Sequence, residues 1–216
     1  MARDVLDFIK KNKIIAIVRG VSSDKISDLV SAMMAGGVRC VEVTFDQSSA
    51  EKRQDTLKSI SLIRERFGEE ISVGAGTVMS VEQVRSAKEA GAEYIISPNV
   101  CEAVIRETKA LGLVSIPGAF TPTEVVSAYS CGADIVKLFP AAILGPAYIK
   151  AIMAPLKHIP LTAVGGVSPE NCAAFIEAGC IGVGCGGKLV SNALVDEGRF
   201  DEITETARAY IRALNP

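Results

Sequence analysis

Two ionisable residues stand inside runs that otherwise read as buried. Lys137 lies in D-I-V-K-L-F-P (134–140) and Glu42 in C-V-E-V-T (40–44). Burial disfavours the charged form, so a lysine in such a run becomes a neutral amine near neutral pH. A neutral amine can attack a ketone and form an imine. A glutamate in equally apolar surroundings has its pKa raised toward the range useful for moving protons. The same two residues could instead be a structural ion pair, because buried charges are normally paired. The residues alone leave both readings open. Arg19 follows the apolar run I-I-A-I-V (14–18). Its planar fork could clamp a carboxylate, or it could be a solvated loop residue whose stem covers apolar surface.

Two glycine clusters lie near the C-terminal end, T-A-V-G-G-V-S-P-E-N (162–171) and G-V-G-C-G-G-K-L-V (182–190). Gly165, Gly166, Gly186 and Gly187 would let the backbone come close to an anion, with Ser168 and Lys188 as helpers. The alternative is tight turns without a ligand. Other chemistries find little support. His158 is the single histidine, so a zinc centre or a Ser-His-Asp hydrolase is not expected. The six cysteines form no C-x-x-C pair and read as small buried hydrophobes in a reducing compartment. A net charge of −2 gives no footprint for nucleic acid or an anionic membrane. Residues 1–13 lack the apolar core of a signal peptide, and no run reaches membrane-spanning length, so a soluble cytoplasmic protein is expected.

These residues need elements to hold them. Eight short apolar runs, at 14–18, 40–43, 71–75, 94–96, 113–116, 134–138, 161–164 and 181–184, read as buried parallel strands. Stretches of helical period separate them, as at 23–35 and 80–90. Most end at a glycine before the next strand: Gly36–Gly37, Gly91, Gly112, Gly132 and Gly179. Caps are expected at Ser22 or Ser23, at Ser80 in the box S-V-E-Q, at Thr121 or Thr123, and at Ser168 before Pro169. Further helices are expected at 4–11 and about 201–214.

This alternation over 216 residues predicts one domain, 1–216, a parallel (β/α)8 TIM barrel with an N-terminal helix. The first strand is followed by V-R-G-V-S-S rather than G-x-G-x-x-G, which argues against an open dinucleotide-binding sheet. Barrel chemistry sits at the C-terminal strand ends. Arg19, Glu42 and Thr44, Thr77, Ser97–Pro98, Lys137 and Phe139 all fall there. Strand alternation puts Arg19 on the face of Ile15 and Ile17, Glu42 with Cys40 and Thr44, and Lys137 with Ile135 and Phe139. The glycine clusters follow strands seven and eight, where barrels often bind phosphate.

The chain resembles a known family through V-E-V-T (41–44), G-A-G-T-V (74–78), I-S-P-N (96–99), P-G-A-F-T-P-T-E (117–124), V-K-L-F-P-A (136–141) and V-G-G-V-S (164–168). It is similar to the 2-keto-3-deoxy-6-phosphogluconate (KDPG) / 4-hydroxy-2-oxoglutarate (KHG) aldolases, which are class I aldolases. The resemblance implies a Schiff base on Lys137 and proton transfer by Glu42. It implies substrate contacts at Thr77 and Pro98, with Arg19 and Phe139 also resembling site residues. It further implies a cytoplasmic homotrimer needing no metal or organic cofactor. Two positions depart from the pattern. Asp46 stands where some members place an arginine on the keto acid's carboxylate, and Gly187 where the motif often has a phosphate-binding serine. The expected reaction is cleavage of 2-keto-3-deoxy-6-phosphogluconate to pyruvate and glyceraldehyde 3-phosphate, with 4-hydroxy-2-oxoglutarate close behind. A phosphosugar isomerase or synthase and a non-catalytic barrel binding a phosphometabolite are the competing readings.

Overall fold

The computed structural model describes residues 4–215. Residues 1–3, where the opening segment and the expected domain begin, and residue 216, where that domain ends, lie outside them. After α1 (Val5–Asn12) the order is β1 (Ile14–Val18), α2 (Ile26–Ala35), β2 (Cys40–Thr44), α3 (Ala50–Phe67), β3 (Ser72–Gly76), α4 (Val81–Glu89), β4 (Tyr94–Ile96) and α5 (Glu102–Ala110). There follow β5 (Val114–Ile116), β6 (Gly118–Ala119), α6 (Pro122–Ser130), β7 (Val136–Leu138), α7 (Ala141–Leu156) and β8 (Leu161–Val164). The chain closes with α8 (Cys172–Glu177), β9 (Gly182–Cys185), α9 (Asn192–Asp196) and α10 (Phe200–Leu214).

All strand pairings are parallel, and β1 pairs with both β2 and β9, so the sheet curls into the expected barrel with an N-terminal helix. One expected strand is two. Pro117 has no N–H to give a ladder and divides the fifth stave into β5, which pairs with β4, and β6, which pairs with β7. The bend does not open the wall. Asp134 N–H donates to the Ser115 carbonyl at 3.0 Å, Lys137 N–H to the Pro117 carbonyl at 2.9 Å and Phe139 N–H to the Ala119 carbonyl at 3.0 Å.

Alternation along the strands makes two cores. Val41, Val43, Val73 and Ala75 face the helices and meet Leu29, Met33, Ile60 and Ile63. Ile15, Cys40, Tyr94, Ile96, Ile116 and Ile135 fill the barrel, and Ile9 of α1 packs against them. Gly74 is needed inside: a Cβ there would stand 2.2 Å from the Tyr94 ring. This inner plug forms the floor under the polar residues at the C-terminal strand ends.

Some local expectations shift. Gly37, Gly91, Gly112, Gly132 and Gly179 take positive φ at helix ends, but Gly36 does not. Gly36 serves a close approach instead, since a Cβ would lie 2.3 Å from Ala207 Cβ on α10. Helix α2 starts later than expected, without a side-chain cap at Ser22 or Ser23, because Ser23 N–H is drawn to the Asp55 carboxylate at 3.1 Å. Ser80 caps α4, but Gln83 reaches back to Met79 N–H rather than completing the box. The full capping box occurs at Thr121 and Glu124. Ser168 contributes its backbone carbonyl to Cys172 N–H and no side-chain cap, α8 beginning after Asn171. Strand β7 begins at Val136, two residues after the expected start, because the Asp134 carboxylate takes Ser115 N–H at 2.8 Å and Lys109 Nζ at 2.7 Å.

Candidate active site

At the C-terminal mouth a cavity of about 220 Å³ gathers residues from seven strand ends. β1 brings Ile17 and Arg19, β2 brings Glu42, and the turn after β3 brings Thr77. Pro98 comes from the end of β4, Lys137 and Phe139 from β7, and the glycine turns after β8 and β9 complete the wall. Of the residues singled out in the sequence, Arg19, Glu42, Thr77, Pro98, Lys137, Phe139, Gly165, Gly166, Gly186, Gly187 and Lys188 therefore face one space. Two do not line it. Thr44 opens on a neighbouring hollow with Gly20, Ser22 and Asp46. Ser168 lies outside the lining, beside Glu170, whose pKa its hydroxyl lowers.

Lys137 and Glu42 are both buried, 7% and 2% exposed, yet among the described residues no ion pair within 4.0 Å involves either. Glu42 Oε2 has no hydrogen-bond partner among the described residues. The structural ion pair is thus not what the fold builds. Desolvation dominates both groups. It lowers the Lys137 pKa, opposed by the Glu42 charge and aided by that of Arg19. It raises the Glu42 pKa, opposed by Lys137 and then Arg19. A free amine and a carboxyl able to hold or release a proton are the states such a site favours. The Phe139 ring lies 5.0 Å from Lys137 Nζ and covers one side of it.

Backbone geometry sets these positions. A Cβ on Gly76 would stand 2.1 Å from Glu42 Oε1, so the carboxyl occupies space that any other residue would fill. Gly76→Ala is expected to displace Glu42 and lower kcat on the order of a hundredfold while borohydride trapping at Lys137 persists. Unchanged steady-state kinetics in that variant would show that the seat of Glu42 does not matter. Thr77 holds φ at 55°, a rare conformation for a β-branched residue. Its carbonyl accepts from Gln47 Nε2 at 2.8 Å, and Gln83 Nε2 donates to Gln47 Oε1 at 2.8 Å. Gln47 and Gln83 thus brace the strained turn. Nothing in the sequence surroundings of Gln47 marks it, and Gln83 was legible only as part of the expected capping box at Ser80.

The two sequence departures have clear placements. Arg19 lines the cavity, whereas Asp46 lines the neighbouring hollow. The Ser48 hydroxyl, the Ser48 N–H at 2.8 Å and Lys52 Nζ at 3.0 Å push the Asp46 pKa down. Around Gly187, among the described residues, the N–H groups of Gly166, Val167, Gly187 and Lys188 find no protein acceptor. Among the described residues no group of three or more His, Cys, Asp or Glu could hold a metal ion, and no helix is long and apolar enough to cross a membrane.

The model of the KDPG and KHG aldolase family matches residues 5–206. The chain belongs to that family. It is a class I aldolase, a carbon–carbon lyase, which sets aside the isomerase, synthase and non-catalytic readings. Among curated relatives, 2-dehydro-3-deoxy-6-phosphogalactonate aldolase of Escherichia coli K12 is 36% identical over 205 residues, covering 94% of this chain and 97% of that one. A 2-dehydro-3-deoxy-phosphogluconate aldolase of Treponema pallidum is 30% identical over 96% of both chains. Among solved structures, a native KDPGal structure superposes with a TM-score of 0.83 at 36% identity, covering 93% of each chain. KDPG aldolase from Legionella pneumophila, captured with pyruvate as a covalent carbinolamine, has a TM-score of 0.84 at 23% identity, covering 96% of this aldolase and 98% of that chain. That last likeness speaks for the barrel alone.

Proposed function

We propose that this aldolase cleaves a 2-keto-3-deoxy-6-phospho sugar acid, with the galactonate epimer as first substrate, to pyruvate and glyceraldehyde 3-phosphate. The observation that carries the reading is an unpaired, buried Lys137 facing the same cavity as an unpaired, buried Glu42. The galactonate epimer is favoured by the 36% identical relative over the gluconate epimer expected from sequence, whose named relatives reach 33% identity.

The neutral Lys137 amine attacks the C2 carbonyl, giving a carbinolamine. Loss of water leaves an iminium that draws electrons. Glu42 as carboxylate takes the C4 hydroxyl proton, the C3–C4 bond pair moves toward the iminium, and the aldehyde departs. The enamine left behind takes the proton back from Glu42 at C3, and water releases pyruvate and the free amine. Arg19 pairs with the substrate carboxylate, while Thr77, Pro98 and Phe139 hold the keto acid against Lys137. The turns at Gly165–Gly166 and Gly186–Gly187, with Lys188 at their rim, take the phosphate through backbone N–H groups. The cycle calls on no metal or organic cofactor. We further propose one domain over 1–216, acting as a cytoplasmic homotrimer, with light scattering as the check on assembly.

The test has two arms. Pyruvate with borohydride, followed by peptide mass spectrometry, should mark Lys137, and kcat/KM should rank the galactonate epimer above the gluconate epimer and above 4-hydroxy-2-oxoglutarate. An adduct on another lysine, or none, would sink the imine assignment. A reversed ranking of the epimers would return the substrate to the gluconate form.

A further inference from the structure

We infer that Tyr210, which lies outside the cavity, is a positioning residue that locks the two glycine turns together in the form that grips phosphate. The inference rests on reading those turns as the phosphate end of the site. Tyr210 belongs to the stripe Ile203, Ala207, Tyr210, Leu214 that α10 turns inward, and it is fully buried. Its hydroxyl donates to the Val167 carbonyl at 2.9 Å. The Cys185 thiol lies beside that hydroxyl, close enough that each group shifts the other's ionisation. Val167 follows the first glycine turn and Cys185 precedes the second. One phenol therefore reaches the exit of one turn and the entrance of the other.

The hydrogen bonds around the first turn show what is being held. The Gly165 carbonyl accepts Ala142 N–H at 2.9 Å and the Gly166 carbonyl accepts Asn171 Nδ2 at 3.0 Å. In a trans peptide the carbonyl and the following N–H point opposite ways. Tying both carbonyls to the scaffold turns the N–H groups of Gly166 and Val167 the other way, where no protein acceptor among the described residues takes them. Tyr210 fixes the next carbonyl, and Ser168 N–H is held by Asn171 Oδ1 at 2.8 Å. The run of peptide planes is thereby set from three sides. Gly165 and Gly166, at φ 95° and 73°, have no Cβ to resist other conformations, so the turn depends on such ties for its shape. Burial drives the phenol pKa upward, so the hydroxyl keeps its proton and remains a donor. A hydroxyl placed there only to fill space would be served as well by phenylalanine.

The decisive variant is Tyr210→Phe, which keeps the ring and removes the hydroxyl that meets both turns. Its steady-state kinetics are compared with wild type on the phosphorylated sugar acid and on 4-hydroxy-2-oxoglutarate, which has no phosphate, with inorganic phosphate as competitor. KM for the phosphorylated substrate should rise about tenfold, and inhibition by phosphate should weaken to match, as expected for a lost buried hydrogen bond. Both kcat and KM for 4-hydroxy-2-oxoglutarate should stay within about twofold, because the imine end is untouched. Equal loss on the two substrates would make Tyr210 a general packing residue and overturn the inference, as would no change on either. Should Tyr210→Phe fail to fold, Cys185→Ala removes the second contact and leaves α10 intact. A KM ratio between the substrates that stays at the wild-type value in Cys185→Ala would overturn the inference too. Wild type that is indifferent to inorganic phosphate would remove the phosphate reading itself, and this inference with it, before any variant is made.

Discussion

Lys137→Met should give a folded barrel with no aldol cleavage, no borohydride-trapped pyruvate, and a higher melting temperature than wild type. The activity half is the loss of the nucleophile, expected on the order of 10⁵-fold in kcat. Methionine matches the length of the lysine stem and fits an apolar wall beside Phe139. The stability half follows from the ionisation. Lys137 is buried without an ion-pair partner among the described residues, and its pKa is lowered mainly by desolvation. The unfolded chain takes a proton on this amine below 10.5, while the folded chain refuses it until a lower pH. Wild type therefore loses stability as pH falls below 10.5, until the folded amine is protonated as well. The variant escapes this, so its advantage should widen on acidification and reach about 1–2 kcal/mol, a typical size for relieving a strained functional site. Thermal melts across the pH range read the gap directly. A variant less stable than wild type at every pH would mean that the amine is held by favourable contacts after all. Lys137→Arg should be as inactive, since a guanidinium cannot form the imine, and less stable, since it stays charged in the same space.

Glu42→Gln separates the two halves of the chemistry. Trapping at Lys137 should survive, and kcat should fall by about 10²–10⁴, the usual worth of a placed acid–base group. The pH profile gives a sharper sign. Cleavage needs Glu42 ionised and Lys137 neutral, and both conditions improve as pH rises. Wild type should thus show kcat/KM climbing through an acid-side limb shaped by a raised carboxyl and a lowered amine. In the variant the carboxyl no longer titrates. The Glu42 charge, which holds the Lys137 pKa up, is also gone, so the remaining limb should move to lower pH. Rate measurements over the acid range test this, and a limb that stays in place would show that Glu42 does not sense the amine.

The barrel was legible because eight short buried strands and glycine-ended helices repeat along the chain, and each element signals its own type locally. The cavity residues Arg19, Glu42, Thr77, Pro98 and Lys137 were legible because they interrupt or end apolar runs at strand ends, where a polar residue or a proline is out of place, and Phe139 because it shares the strand face of Lys137. Pro117 was visible as a residue, but its effect depends on which neighbour each half of the stave pairs with. The bracing role of Gln47 and Gln83 was not legible, since it exists only once β2 and β3 lie side by side and bring two loops together. Thr44 shares the strand face of Glu42, yet the barrel's curvature at the mouth aims it into the next hollow. Tyr210 reads as one more member of an amphipathic stripe, and only the chain's return to β8 and β9 gives its hydroxyl a purpose.

Gly76 carries a consequence for descent. Its lack of a side chain answers to the Glu42 carboxyl, which fills the volume a Cβ would take. A lineage of this barrel that stopped catalysing would shed the glutamate first, and the glycine would then be free to drift to alanine or serine without harm to folding. The pair can therefore be used as a fossil record: glycine and glutamate together mark a copy still under selection for turnover, and a larger residue opposite a lost carboxylate marks one that has retired to another task.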